Sequence, residues 1–219
     1  QQLVEAPPPE IVALSASGAV SHVWLGRMLR DYASDFPAAS IRLLTTDSMS
    51  DLAAEGNDLA IIYSLGDHPG WNLTLLLAEE LVPVASPGYL ERNELRVAGA
   101  GLSLEALCRL DLYDYSRVNA YWVTLRDWFR QQGWTGAEIR TRVVFSNYAM
   151  AVDAALRGDG VILGSRQMVR HHLETGELVE LTDQVLTTGY GYYIGLPRNR
   201  PVSEAALHLF QWLLDRARA

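Results

Sequence analysis

Short apolar segments alternate with segments of helical spacing over the first third of this 219-residue chain. Residues 11–14 and 59–63 are apolar runs of the length of buried strands, and residues 40–45 are also predicted to form a strand. Between them, residues 20–36 repeat apolar side chains every three to four positions, and residues 48–55 form a shorter helical segment. Strands that alternate with helices pair in parallel, because the helix returns the chain to the same end of the sheet. The pattern therefore predicts a parallel α/β sheet.

The rest of the chain continues the alternation and predicts a second α/β lobe. The predicted strands are residues 72–85, with a break near 79–80, then 110–115, 140–145, 161–163, 178–181 and 189–196. The predicted helices are residues 103–109, 121–132, 147–157 with Ser146 as the cap, 166–175 and 203–218. Residues 86–88 are predicted to form a turn, and residues 91–101 a loop.

The charge of the chain argues against direct contact with nucleic acid. The formal net charge is −8, whereas surfaces that bind phosphates are normally basic. All 18 basic residues are arginines, which excludes a phosphate-loop lysine and a lysine Schiff base with pyridoxal phosphate. The sequence contains no apolar run of about 18 residues, so we expect no membrane span.

Residues able to hold a metal or carry catalysis do not form a recognisable set. The single cysteine, Cys108, lies in an apolar stretch that is typical of core packing. The five histidines lack metal-ligand spacing, and His171 and His172 point to different sides of a helix. Asp67 and Asp114 fall in predicted loops without an evident acid-base partner. We therefore expect no bound metal, no cofactor and no enzymatic activity.

Three polar loops share one position in the predicted fold, directly after a strand. In parallel α/β sheets, ligands bind beyond the carboxyl ends of the strands. Backbone N–H groups at a helix start favour anions there, and short hydroxyls add hydrogen bonds. The alternative is that Ser17 and Ser146 only cap helices. The loops contribute the candidate residues Ser15, Ser17 and Gly18, then Ser64 and Gly66, then Ser146, Asn147 and Tyr148.

The ordered set of segments resembles the effector-binding domain of LysR-type transcription regulators. Its opening marks are the first strand, the serine-rich turn, the long helix that ends at Phe36-Pro37, and the run Gly56-x-Asp58-Leu59-Ala60-Ile61. Three later stretches are similar to the family's crossing strand, central helix region and final helix. They read LLLAEELVPVASPGYL, FSNYAMAVDAALRGDGVILGSRQMVRHHLETGELVEL and GYYIGLPRNRPVSEAALHLFQWLLD. The resemblance covers essentially the whole chain.

The resemblance implies a type 2 periplasmic-binding-protein-like α/β fold, with two Rossmann-like lobes joined by two crossover strands. Residues 1–10 would be the end of a linker, residues 11–83 and 188–219 lobe I, and residues 84–187 lobe II. The crossovers would lie near residues 82–84 and 187–189. An N-terminal winged helix-turn-helix that contacts operator DNA is expected outside this chain.

The resemblance also implies a small-molecule effector between the lobes, and adds Val20, Tyr115, Ser116 and Arg117 to the candidate residues. Arg117 could supply a charge, and Tyr115, Tyr121 and Tyr148 could cover an apolar part of the ligand. We expect the effector to be a small anionic or zwitterionic organic molecule. The implied protein partner is a second copy of the chain, in a homodimer or homotetramer. We expect no association with a membrane. The expected location is cytoplasmic.

Two other functions remain open from the sequence alone. A periplasmic solute-binding protein shares the two-lobe plan. An enzyme on the same scaffold, such as a small dehydratase or transferase, would need an acid-base pair in the cleft.

Overall fold

The computed structural model describes residues 11–116 and 122–218, which form an α/β fold. The elements in chain order are β1 (Ile11–Ala16), α1 (Gly18–Val20), a π-helical segment (Ser21–Leu25), α2 (Gly26–Asp35), β2 (Ser40–Thr45), α3 (Met49–Leu52), β3 (Leu59–Ser64), β4 (Trp71–Ala85), α4 (Pro87–Arg92), α5 (Leu104–Leu107), β5 (Leu112–Tyr115), α6 (Leu125–Gln131), β6 (Thr141–Phe145), α7 (Tyr148–Leu156), β7 (Ile162–Ser165), α8 (Arg170–Glu174), β8 (Val179–Glu180), β9 (Leu186–Pro197) and α9 (Glu204–Arg218).

The predicted parallel sheet is confirmed at the start of the chain. β1 pairs in parallel with both β2 and β3. The long predicted helix is present, but it begins at Gly18 and contains the π-helical segment between α1 and α2. β1 also extends to Ala16 instead of ending at residue 14. Ser15, which was predicted to follow this strand, therefore lies within it.

The chain divides into two compact units, and each has its own strands. Unit 1 runs up to Ser17, continues with Leu25–Leu76 and resumes from Gly191, while unit 2 consists of Gly18–Trp24 and Leu77–Tyr190. The long strands β4 and β9 each contribute residues to both units. The sequence-based boundaries at 83/84 and 187/188 differ from this division and stay a prediction.

Unit 1 is organised around the order β2-β1-β3-β9, in which β9 runs antiparallel to β3. Buried aliphatic side chains fill the inner positions of β1 and β3. Asp58 fastens the start of β3 to its surroundings, because its carboxylate accepts a hydrogen bond from the Ala13 N–H at 2.8 Å and from Arg200 at 3.1 Å. α2 meets α9 through Tyr32, whose hydroxyl hydrogen-bonds His208 Nδ1 at 2.8 Å.

Unit 2 has a separate core built around Trp128. This side chain is fully buried, and its indole N–H donates to the Leu81 carbonyl at 3.2 Å. β7 and β8 pair antiparallel to β4, and β5 pairs in parallel with β6. The neighbouring buried side chains include Leu81, Tyr89, Leu107, Leu112 and Phe129.

Some predicted element boundaries were wrong, and local capping explains two of them. Residues 86–88 were predicted as a turn, but they open α4: Ser86 Oγ accepts the Tyr89 N–H, and Pro87 occupies a helix position that needs no N–H donor. α6 begins at Leu125, because Thr124 and Asp127 form a capping box. β4 is continuous through the predicted break at residues 79–80.

Candidate functional site

The start of α7 in unit 2 presents a capped helix N-terminus of the kind that binds anions. Asn147 is the N-cap, and its Oδ1 accepts the Ala149 N–H at 2.7 Å. The prediction that Ser146 caps this helix is wrong, since Ser146 lies one residue too early and is exposed. The other first-turn N–H groups have no acceptor within the helix. Their dipoles favour a negatively charged group at this end.

Tyr148, the first residue of α7, extends a buried phenol toward the end of β7. Its hydroxyl oxygen accepts the Ser165 N–H at 2.8 Å. Burial, and to a lesser degree the charge of Glu79, raises the pKa of this phenol. Its ring also meets the ring of Tyr115 edge-on, with the centroids 5.1 Å apart. Tyr148 is therefore held in one position as a neutral phenol.

The start of the long helix belongs to the same unit and packs against α7. Gly18, Ala19 and Val20 are all buried. His22 Nδ1 donates to the Gly18 carbonyl at 2.8 Å within the π-helical stretch. Short π-helical segments occur frequently at functional sites. The predicted binding residues Gly18 and Val20 thus lie on a helix that packs against α7, the helix that begins at Tyr148.

The end of β5 contributes Tyr115 and Asp114 to unit 2. The Tyr115 hydroxyl donates to the Val123 carbonyl at 3.1 Å. Burial raises the pKa of Asp114 to about 6, although its carboxylate accepts the Tyr115 and Leu125 N–H groups at 2.9 and 3.1 Å. Ser116 is exposed, and its N–H donates to the Phe145 carbonyl. The predicted residues Arg117 and Tyr121 lie outside the described residues.

The remaining predicted residues belong to unit 1, and their hydroxyls serve local structure. Ser15 is fully buried and donates to the Leu52 carbonyl at 2.7 Å, so it ties β1 to α3. Ser64 Oγ accepts the Gly66 N–H at 3.0 Å. Gly66 has φ +101° and faces the Tyr193 ring, so the turn favours glycine. Ser17 is buried at the end of β1.

No group of three histidine, cysteine, aspartate or glutamate side chains that could hold a metal occurs in residues 11–116 and 122–218. Within the same ranges, no helix is long and apolar enough to cross a membrane. Cys108 is half-buried and donates its thiol hydrogen to the Glu105 carbonyl.

A protein-family model described as the LysR substrate binding domain matches residues 6–218. The chain belongs to this family. The glycine cleavage system transcriptional activator of Escherichia coli (strain K12) is 30% identical over 230 residues, which cover 100% of this chain and 71% of that protein. The HTH-type transcriptional activator AmpR of Providencia stuartii is 28% identical over 222 residues, covering 98% of this chain and 68% of that protein.

Solved structures of LysR effector domains share the fold. The effector domain of AmpR from Pseudomonas aeruginosa superposes with a TM-score of 0.70 at 24% identity, covering 95% of this chain and 96% of that one. The regulatory domain of CrgA from Neisseria meningitidis also gives 0.70, at 16% identity, covering 96% and 100%. The predicted type 2 periplasmic-binding-protein-like class and the role as effector-sensing domain of a LysR-type regulator are confirmed. The curated relatives are transcription regulators and not enzymes.

Sequence reasoning missed one buried polar residue beside Tyr148, Ser165. It is the last residue of β7 and only 3% exposed. Its Oγ has no hydrogen-bond partner among the residues that the structure describes. Its position in the sequence could have identified it, since a serine that ends a buried strand is placed like the other candidate residues. The prediction instead assigned residues 166–175 to a helix and did not consider the strand end.

Proposed function

We propose that this domain senses a small organic effector whose acid group binds at the start of α7, next to the start of α1. The observation that supports this most directly is that α1 packs against α7 within unit 2. A carboxylate there meets first-turn N–H groups and the positive ends of the helix dipoles. The proposed contact residues are Gly18, Val20, Tyr115, Asn147 and Tyr148.

The other residues predicted from the sequence are not part of this proposal. Ser15 is left out, because its hydroxyl is committed to the Leu52 carbonyl inside the unit. Contacts from Ser17, Ser64, Gly66, Ser116, Ser146 and Arg117, and a ligand position between two lobes, stay predictions.

Binding can act on transcription only through a difference in affinity between two conformations of the regulator. Coupling energies between an effector and a distant site are typically about 1–3 kcal/mol. Contact with operator DNA would come from a helix-turn-helix part outside these 219 residues, which fits the net charge of −8. A cytoplasmic location follows from this role. A periplasmic solute-binding function is not favoured, because the curated relatives are transcription regulators.

Comparing an acid with its amide tests the proposed acid site. Valerate and valeramide have the same carbon skeleton and differ in charge. We expect valerate to bind about 3- to 30-fold more tightly by calorimetry, the range that corresponds to about 0.7–2 kcal/mol at a helix terminus. Asn147→Asp keeps a good helix cap but places a negative charge at the proposed acid site, so it should narrow this preference. Ser103→Asp, at the N-cap of α5, adds the same charge elsewhere and serves as the control. Equal affinity for acid and amide in the wild type would contradict the proposal.

We further propose that the domain forms a homodimer through apolar residues outside the long helix. The helical stretch over residues 20–36 offers little apolar surface for this contact, because Trp24, Leu25, Met28 and Tyr32 are all buried within the chain. Exposed apolar side chains instead occur on β2, β6 and α7: Leu44, Val143, Val144 and Met150. Of these, Val143, Val144 and Met150 lie on β6 and α7, which pack against each other in unit 2, and exposed apolar side chains on adjoining elements can form an interaction surface.

Sedimentation equilibrium tests the dimer. Met150 is 52% exposed and Leu207, on α9, is 44% exposed, so the two residues form a matched pair. Met150→Glu should weaken association at least tenfold, because it buries a charge in the contact. Leu207→Glu should leave association unchanged. A wild-type domain that is monomeric at several hundred micromolar would refute the proposal.

A further inference from the structure

A buried hydroxyl without a partner lies in unit 2. Ser165 Oγ is closed off from solvent and makes no hydrogen bond to any described residue. Such groups are rare in folded proteins, because a buried donor left without an acceptor costs about 1–3 kcal/mol. A retained unsatisfied hydroxyl therefore calls for an explanation, either a bound water or a ligand that completes it.

The Tyr148 phenol beside it also has a hydroxyl proton that no described residue accepts. Its oxygen accepts the Ser165 backbone N–H, so the phenol lies beside Ser165. The phenol proton has no acceptor in residues 11–116 or 122–218. Burial raises the pKa of this phenol, so the group keeps its proton and can donate. Two neighbouring hydroxyls thus each have a proton to give.

We propose that Ser165 and Tyr148 form a donor pair that binds a neutral carbonyl oxygen of the effector, in addition to its acid group. This inference rests on the proposed effector site at the start of α7. It narrows the ligand class to acids that carry a second, uncharged oxygen acceptor, such as keto acids or N-acyl amino acids.

The neighbouring carboxylate of Glu79 favours a neutral acceptor at this pair over a second acid group. Glu79 is buried, accepts a hydrogen bond from Thr188 Oγ1 at 2.8 Å and acts electrostatically on Tyr148. A second carboxylate would be repelled by this charge, whereas a carbonyl would not. Because Ser165 Oγ is shielded, the chain around it has to open to admit the ligand, which ties binding to a change of conformation.

The stability of Ser165→Ala without added ligand separates a ligand from a bound water. If the hydroxyl is unsatisfied, its removal should leave the thermal midpoint unchanged or raise it. Ser15→Ala is the matched control: this serine is equally buried but donates to the Leu52 carbonyl, so its loss should lower the midpoint. A Ser165→Ala midpoint that falls as far as that of Ser15→Ala would show a satisfied structural hydroxyl and overturn the inference.

Levulinate and valerate then test the carbonyl itself, since levulinate is valerate with one ketone oxygen added. We expect wild-type protein to bind levulinate about five- to tenfold more tightly than valerate, which corresponds to one or two net hydrogen bonds. Ser165→Ala should reduce that ratio while keeping the affinity for valerate. Equal binding of the two acids, or a ratio unchanged in Ser165→Ala, would overturn the inference.

The two proposals fail in different ways. Loss of the preference for valerate over valeramide contradicts the acid site. A retained acid preference without a levulinate advantage contradicts only the donor pair. If none of the probes binds, the acid site is contradicted, and the stability comparison of Ser165→Ala with Ser15→Ala still decides whether the hydroxyl is unsatisfied.

Discussion

Replacing Tyr148 by Phe removes one oxygen atom from the interior of unit 2 and leaves the Ser165 N–H without its acceptor. The two groups are 2.8 Å apart, and both residues are buried, so water cannot readily replace the phenol. A buried N–H deprived of its acceptor costs about 1–3 kcal/mol. In a protein of this size each kcal/mol lowers the thermal midpoint by about 2–4 °C. We therefore expect a decrease of about 2–12 °C.

Thermal unfolding followed by circular dichroism measures this decrease, and Tyr113→Phe provides the control. Tyr113 is a half-buried tyrosine whose ring stacks near Phe145 and whose hydroxyl has no hydrogen bond to a described residue. Its replacement should change the midpoint by less than about 2 °C, the range of a surface substitution. If Tyr148→Phe and Tyr113→Phe unfold together, the Ser165 N–H finds another acceptor and the reasoning about this site is wrong.

Two further predictions concern α7 and Asp114. Asn147→Ala should lower the unfolding free energy by about 1 kcal/mol, because it removes the cap on the Ala149 N–H. Ser146→Ala should change it by less than about 0.5 kcal/mol. Urea titrations measure both variants, and equal losses would contradict the assignment of Asn147 as the cap. The pKa of Asp114 is about 6 in the folded chain and 3.8 for an unperturbed aspartate. Ionisation of this buried carboxyl therefore costs folding free energy, and the cost is absent below pH 4, grows between pH 4 and 6 and reaches about 3 kcal/mol at higher pH. The stability of the wild type relative to Asp114→Asn should therefore decline between pH 4 and 6, and a constant difference would show that burial does not raise this pKa.

The elements that follow from sequence are those whose apolar pattern is decided locally. β2 was predicted at its observed bounds, because a proline turn before residue 40 and the helix cap Ser48 limit the strand on both sides. The parallel pairing of β1 with β2 and β3 follows from the alternation of strands with helices. α4 was missed because Pro87-Gly88 is typical of a turn, and only the hydrogen bond from the Tyr89 N–H to Ser86 Oγ shows a helix start. The π-helical segment could not be predicted, because the spacing of its apolar residues does not distinguish it from an α-helix.

The site was harder to predict than the fold, because sequence position does not tell which hydroxyls already have partners. Ser15, Ser64 and Ser165 all stand at or near strand ends, so a pattern of serines after strands treats them alike. The structure separates them by the atoms around each oxygen: Ser15 donates to the Leu52 carbonyl, Ser64 accepts the Gly66 N–H, and Ser165 Oγ has no partner among the described residues. A hydroxyl that a neighbouring backbone group satisfies stabilises the fold and has less to offer a ligand. The group left unsatisfied in the interior is therefore the stronger indicator of where a ligand binds.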